Sequence, residues 1–322
     1  MNSLLENRIL PISRQGTAQN STNGCDAESF AAANLILATR SEISWGSREE
    51  DGRKIDLILS CDHPWFSKER IIILCQVKSG QSYGEMLNRG FNLKKAAYVS
   101  AQRTTHSILV LWVNRDENLS FWAYIHPNSK YSRNGFGSYH KITPATYFDL
   151  ARCVSREMNI TEGGKGVTIR KRNTDYKLRR RNVYDSYSGV QSVFCPVLGK
   201  VEVTRLGWRH MFRKGRAKKF KESSLDCIPY IKKILAQKPT EHAITSIDEW
   251  DKNNFSYRKA EHLLKFDKVT ISSPEEKNRE ICVVARILEE IRYPCDWTTS
   301  AMMSQCIERR VVLRTIYHKP KG

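Results

Sequence analysis

Lys54-Ile55-Asp56-Leu57-Ile58-Leu59 decides the reading of the fold when it is set beside Arg70-Ile71-Ile72-Ile73-Leu74-Cys75-Gln76-Val77-Lys78. Both stretches are short, rich in β-branched and apolar residues, and read as strands. Side chains alternate faces along a strand, so Gln76 and Lys78 project from one side, one pleat apart. If the two strands pair, Asp56 lies beside them. One carboxylate, one amide oxygen and one amine then converge at a sheet end. Oxygen donors of this kind hold a hard divalent cation, and an amine beside them stabilises a phosphate in transit.

Working outward, Asp26 reads as the N-cap of a helix over DAESFAAANLILAT, with Phe30, Ala33 and Leu37 on its apolar face. Glu28 then falls in the first turn, where it either complements the helix dipole or joins the metal site. CDHPWFSKER, with Pro64, suits a connection between the two strands. Residues 81–106 are expected to be helical, with Gly84 and Gly90 as weak points. Ser107–Asn114 and Leu119–His126 read as a hairpin joined by RDEN.

This order of helix, strand, strand, helix and strand, with Asp56 and Gln76-Val77-Lys78 in place, resembles the PD-(D/E)xK nuclease superfamily in its Q-x-K variant. Glu28 to Pro127 looks like one domain family within it, found in bacterial restriction and phage-defence settings. The resemblance implies a restriction-endonuclease-like α/β domain that hydrolyses DNA with Mg²⁺ or Mn²⁺. It implies Asp56, Gln76 and the Val77 carbonyl as metal ligands, Lys78 as the catalytic cation, and Glu28 as an outer member. Gln76 stands where Glu is commoner, which removes one negative charge from the proposed metal site.

The 322 residues suggest two domains, and 40% apolar content supports real cores. No stretch approaches the roughly 20 apolar residues of a membrane span. The N-terminal segment reads as carrying no signal peptide. Nine Cys, without a C-x-x-C pair, fit a reduced, cytoplasmic protein without structural zinc. Residues 1–24 are expected to be disordered, 25–160 to form the nuclease-like domain, 161–189 to form a basic linker, and 190–322 to form a basic α+β domain.

Formal charge is +19, unevenly placed. Residues 165–221 carry 17 basic and 3 acidic residues, against 18 and 14 over residues 1–155. Such a block attracts a polyanion, with nucleic acid as the usual one and a solvated linker as the bland alternative. DNA, and after it RNA, is the expected partner, with Arg179, Arg180, Arg181, Arg209, Arg213 and Arg216 as contacts. A membrane is not expected. A homodimer or a partner protein of a defence system is an open expectation.

In the last third, ESSLDCIPYIKKILAQKP reads as an amphipathic helix, and REICVVARILEEIRYP and ERRVVLRTIYHKPK as strands. Trp208-Arg209-His210, Arg213, Arg309-Arg310 and Thr315-Ile316-Tyr317 resemble, more distantly, barnase/EndoU-like small RNase folds. His210 would supply acid–base chemistry, Arg310 would neutralise phosphate, and Thr315 or Tyr317 would hydrogen-bond it. Three functions stay open: a metal-dependent DNA endonuclease, a metal-independent RNase, and a nuclease-like fold that only binds.

Overall fold

The computed structural model describes residues 17–46, 55–131, 134–158, 166–171, 175–272, 278–300 and 303–321. It is a mixed α/β protein of two compact units. The first takes residues up to Ile36, Ile43–Leu59 and Ile73–Lys141; the second takes Leu37–Glu42, Ser60–Ile72 and residues from Ile142 onward.

In the first unit, α1 (Thr17–Thr39) buries Ala27, Ala31 and Leu35 at intervals of four, one stripe of a helix. It begins well before Asp26, so that residue is exposed in the helix interior and does not cap it. Residues 17–24, expected to be disordered, belong to α1; residues 1–16 lie outside the described residues. Among the described residues five strands follow before the next helix: β1 (Glu42–Trp45), β2 (Leu57–Asp62), β3 (Arg70–Ser79), and the hairpin of β4 (Gly84–Leu87) with β5 (Gly90–Leu93). Then come α2 (Lys95–Ala101), β6 (Ile108–Asn114) and β7 (Leu119–Ile125).

The hairpin corrects the helix expected from residue 81. Gly90 has φ +105°, and a Cβ there would meet the Phe136 carbonyl oxygen at 1.9 Å, so the chain turns where only glycine fits. The main sheet has the order β1-β2-β3-β6-β7. β3 and β6 are parallel, Gln76 facing Val110, and β6 and β7 are antiparallel. A parallel pair needs a crossover, and the β4–β5 hairpin and α2 lie within it. β6 is buried along its whole length, as a central strand covered on both faces must be. β3 alternates at its start, where Ile72 is 66% exposed, and is buried continuously only from Cys75 to Val77.

The second unit opens with α3 (Thr146–Glu157) and β8 (Val167–Arg170). There follow α4 (Tyr176–Ser188), β9 (Ser192–Cys195), β10 (Gly199–Glu202), α5 (Arg205–Met211), α6 (Lys218–Cys227) and α7 (Ile231–Leu235). Long strands close the chain: β11 (Glu241–Lys252), β12 (Phe255–Ser272), β13 (Arg279–Pro294), α8 (Met303–Cys306) and β14 (Glu308–Pro320). The sheet order is β11-β12-β13-β14-β10-β9, and β8 joins the end of β12 in parallel. β11 is an outer strand carrying exposed Glu241, Asp248, Glu249 and Asp251.

Two boundaries move from their expected places. α3 falls within the span 25–160 expected to form the first domain, yet its inward Asp149 and Arg152 are buried against the sheet of the second unit. Asp149 Oδ2 accepts from Arg258 at 2.5 Å, and Arg152 pairs with Glu289 at 3.3 Å. The basic linker is no linker over its described part. Val167 pairs with Val269, and α4 buries Val183 and Tyr187 in the core of the second unit. Residues 159–165, with most of the expected TEGGKG joint, lie outside the described residues. The helix expected over ESSLDCIPYIKKILAQKP is broken into α6, a 3₁₀ turn at Pro229, and α7.

Candidate functional site

The sheet-end cluster is assembled by the backbone of Val77. The Asp56 N–H donates to the Cys75 carbonyl at 2.9 Å, and the Gly46 N–H donates to the Asp56 carbonyl at 2.9 Å, so Asp56 sits between β1 and β3. One N–H and C=O pair in two along a strand faces a given neighbour. Val77, two residues past Cys75, therefore faces the same side. The Asp56 carboxylate takes the ladder position there: Oδ2 accepts from the Val77 N–H at 2.5 Å. The Val77 carbonyl accepts from Lys78 Nζ at 3.0 Å, and the same ammonium lies 3.9 Å from Asp56 Oδ2. Lys78 also lies 5.7 Å from the centre of the Tyr83 ring.

The structure thus brings Asp56, Val77 and Lys78 together, with Gln76 fully buried on the same strand. Glu28 is half-buried in the interior of α1, so the first-turn dipole role expected for it does not apply. Among the described residues no three His, Cys, Asp or Glu side chains gather as a metal group. The oxygens that could hold a cation are the Asp56 carboxylate, the Val77 carbonyl and the Gln76 amide. They are hard donors suited to Mg²⁺ or Mn²⁺. Two of them already meet an ammonium, which is the fit that matters: the notch accepts positive charge.

The cations of the basic segment divide by helix face. Arg179 turns inward and pairs with the buried Asp226, which also meets His318 Nε2 at 3.0 Å. Arg180 and Arg181 face outward. With Lys177 on α4 and Arg205 and Arg209 on α5 they line a cleft of about 620 Å³. Tyr176, Tyr184 and Trp208 complete its wall, and among the described residues that line it there is no carboxylate. Arg216 is committed elsewhere: it donates to Thr315 Oγ1 at 2.9 Å and to the Met211 carbonyl at 3.2 Å, beside the Phe220 and Tyr317 rings. Arg213 is exposed.

The residues of the second expected site come together only in part. His210 Nε2 accepts from Arg314 Nε at 3.2 Å. Burial, with Arg314 and Arg213 beside it, lowers its pKa and keeps it neutral. Thr315 and Tyr317 share Arg216. Arg310 instead makes two bonds to Glu202, at 3.0 and 2.9 Å.

Lys177, Tyr176, Tyr184 and Arg205 escaped the sequence reading as site residues. Their signal is the spacing Tyr176, Arg180, Tyr184, which puts rings and a cation on one helical stripe. No family model, curated protein or solved structure matches the chain.

Proposed function

We propose that the first unit is a metal-dependent endonuclease that hydrolyses DNA phosphodiester bonds, a restriction-endonuclease-like domain of PD-(D/E)xK type in the Q-x-K variant, acting in restriction or phage defence. The observation that carries this reading is the meeting of the Asp56 carboxylate and the Lys78 ammonium at Val77, 3.9 Å apart. The order β1-β2-β3-β6, with β3 and β6 parallel, supports it as well.

Asp56, Gln76 and the Val77 carbonyl would hold Mg²⁺ or Mn²⁺, which supplies an acidified water and charge neutralisation when bound. Asp56 is fixed by the Val77 N–H, so its carboxylate is oriented before any ligand arrives. Lys78 carries its ammonium at the strand end, 20% exposed, where it can leave the Val77 carbonyl for a phosphate oxygen. There it offsets the negative charge that builds on the phosphate in the transition state. The outward cations of α4 and α5 would add sequence-independent affinity.

The test is incubation of the full chain with plasmid DNA and with total RNA, each in Mg²⁺, Mn²⁺ or EDTA. Plasmid should be cut with metal and spared in EDTA, and Asp56→Asn should abolish cutting. Intact plasmid under every condition would overturn the reading. RNA cleavage that survives EDTA would move the activity to the second unit.

A further inference from the structure

The cleft between α4 and α5 is built for more than electrostatic attraction, and we infer that it binds an unpaired nucleotide, with the base stacked on its rings and the phosphate held by its arginines. This inference stands without the nuclease reading, because the residues that carry it are separate from Asp56, Gln76 and Lys78.

The walls are two helix faces. On α4, Lys177, Arg180, Arg181 and Tyr184 follow one another at helical spacing, along the border of the stripe that buries Val183 and Tyr187. On α5, Arg205, Trp208 and Arg209 do the same. The position of α5 is fixed closely. Gly207 lies so near β14 that a Cβ would meet the Leu313 carbonyl oxygen at 2.4 Å and the Tyr187 hydroxyl at 2.7 Å. The Tyr187 hydroxyl also donates to the Thr204 carbonyl at 2.7 Å, at the start of α5.

The rings are held before a ligand arrives. Trp208 meets Tyr184 edge-on with centroids 4.8 Å apart, and Phe212 at 4.2 Å. Trp208 is nevertheless only half-buried. Among the described lining residues, five cations stand with no carboxylate, which leaves the cleft strongly positive. Phosphate alone would be served by the cations. The rings are useful to a ligand that offers a flat π-face, and a base inside a duplex keeps both faces in its own stack. A volume of about 620 Å³ is also of the order of a small-molecule site.

The ligand chemistry, a base joined to phosphate, could come from a single strand or from a free nucleotide. The experiment is fluorescence anisotropy on the full chain in EDTA at fixed salt. The probes are labelled dT12, an abasic 12-mer of equal charge, and a 12-base-pair duplex, with ATP as competitor. The expected result is dT12 bound about five-fold or more tightly than the abasic strand and than the duplex, since each stacked base contributes at least that factor. Tyr184→Ala should remove most of the difference, and Tyr184→Phe should keep it. Arg181→Ala with Arg209→Ala should weaken dT12 and the abasic strand alike. Displacement of dT12 by micromolar ATP would assign the cleft to a free nucleotide, and resistance to millimolar ATP to a strand; either supports the stacked base. Equal binding of dT12 and the abasic strand by the wild-type chain would overturn the inference whatever the variants do. So would a duplex that binds as tightly as dT12.

Discussion

A strand residue whose neighbour has veered away must find other partners for its N–H and C=O. Val77 finds Asp56 for the first and Lys78 for the second, and that small accommodation is what collects the charged groups of the proposed active site. Period-two reading expects Gln76 and Lys78 on one face of the strand; the structure brings Lys78 within 3.9 Å of Asp56 and buries Gln76 fully. The Val77 carbonyl is an expected ligand, but the Val77 N–H as the donor that orients Asp56 was not legible, because it depends on where the partner strand ends. At this scale Lys78→Ala should lower the plasmid cleavage rate about 10²–10³-fold and leave the fold intact. Cleavage at the wild-type rate would remove Lys78 from the chemistry. Gln76→Glu asks a different question. Gln76 is fully buried, so a carboxylate there is destabilising until a cation compensates it. The melting temperature should therefore be lower than wild type in EDTA and should rise more on adding Mn²⁺. An equal Mn²⁺ response in both proteins would mean that residue 76 is not a ligand position.

Helix α4 shows what a charge run conceals. Its apolar residues inside the core are Val183 and Tyr187, too few to signal an amphipathic helix through the surrounding arginines, and the segment therefore read as a linker. β11 and β12 were hidden for a related reason: inward positions of β12 hold Arg258, ion-paired with Asp149, and His262, hydrogen-bonded to Glu289, in place of apolar contact. β13 and β14, with their β-branched runs, were plain. The two faces of α4 give separable predictions. Arg180→Ala with Arg181→Ala should flatten the log–log salt dependence of nucleic-acid binding by about 1.5–2 units and leave stability unchanged. Arg179→Ala should leave that slope alone and cost roughly 1–3 kcal/mol in urea unfolding, since it strips a charged partner from the buried Asp226. A single variant of Arg179 that changes the slope would contradict its inward placement.

For the whole molecule, acid is the revealing variable. Burial lowers the His63 pKa to about 4 and, with His262 beside it, the His242 pKa to about 2; burial and Arg152 lower that of His262. These residues are neutral in the folded chain and charge on unfolding near pH 6.5. Burial alone would raise the Glu289 pKa, but Arg152 and Arg309 outweigh it and keep it ionised throughout. The unfolded chain binds more protons below pH 6.5, so stability is full above that value and is lost as pH falls toward 4. We expect the melting temperature to drop by roughly 5–10 °C between pH 7 and pH 5. His63→Gln should recover part of the drop, its amide still donating to Ser155 in place of Nε2 at 3.0 Å. A melting temperature flat over that range would show that the histidines are not buried neutral. Charge on the second sheet has a further consequence. The carboxylates of β11 lie three strands from β14, about 14 Å away at ordinary strand spacing and beyond a Debye length in physiological salt. The β11 edge is therefore an acidic border on a protein of positive net charge. The polyanion proposed above would therefore meet repulsion along the β11 edge.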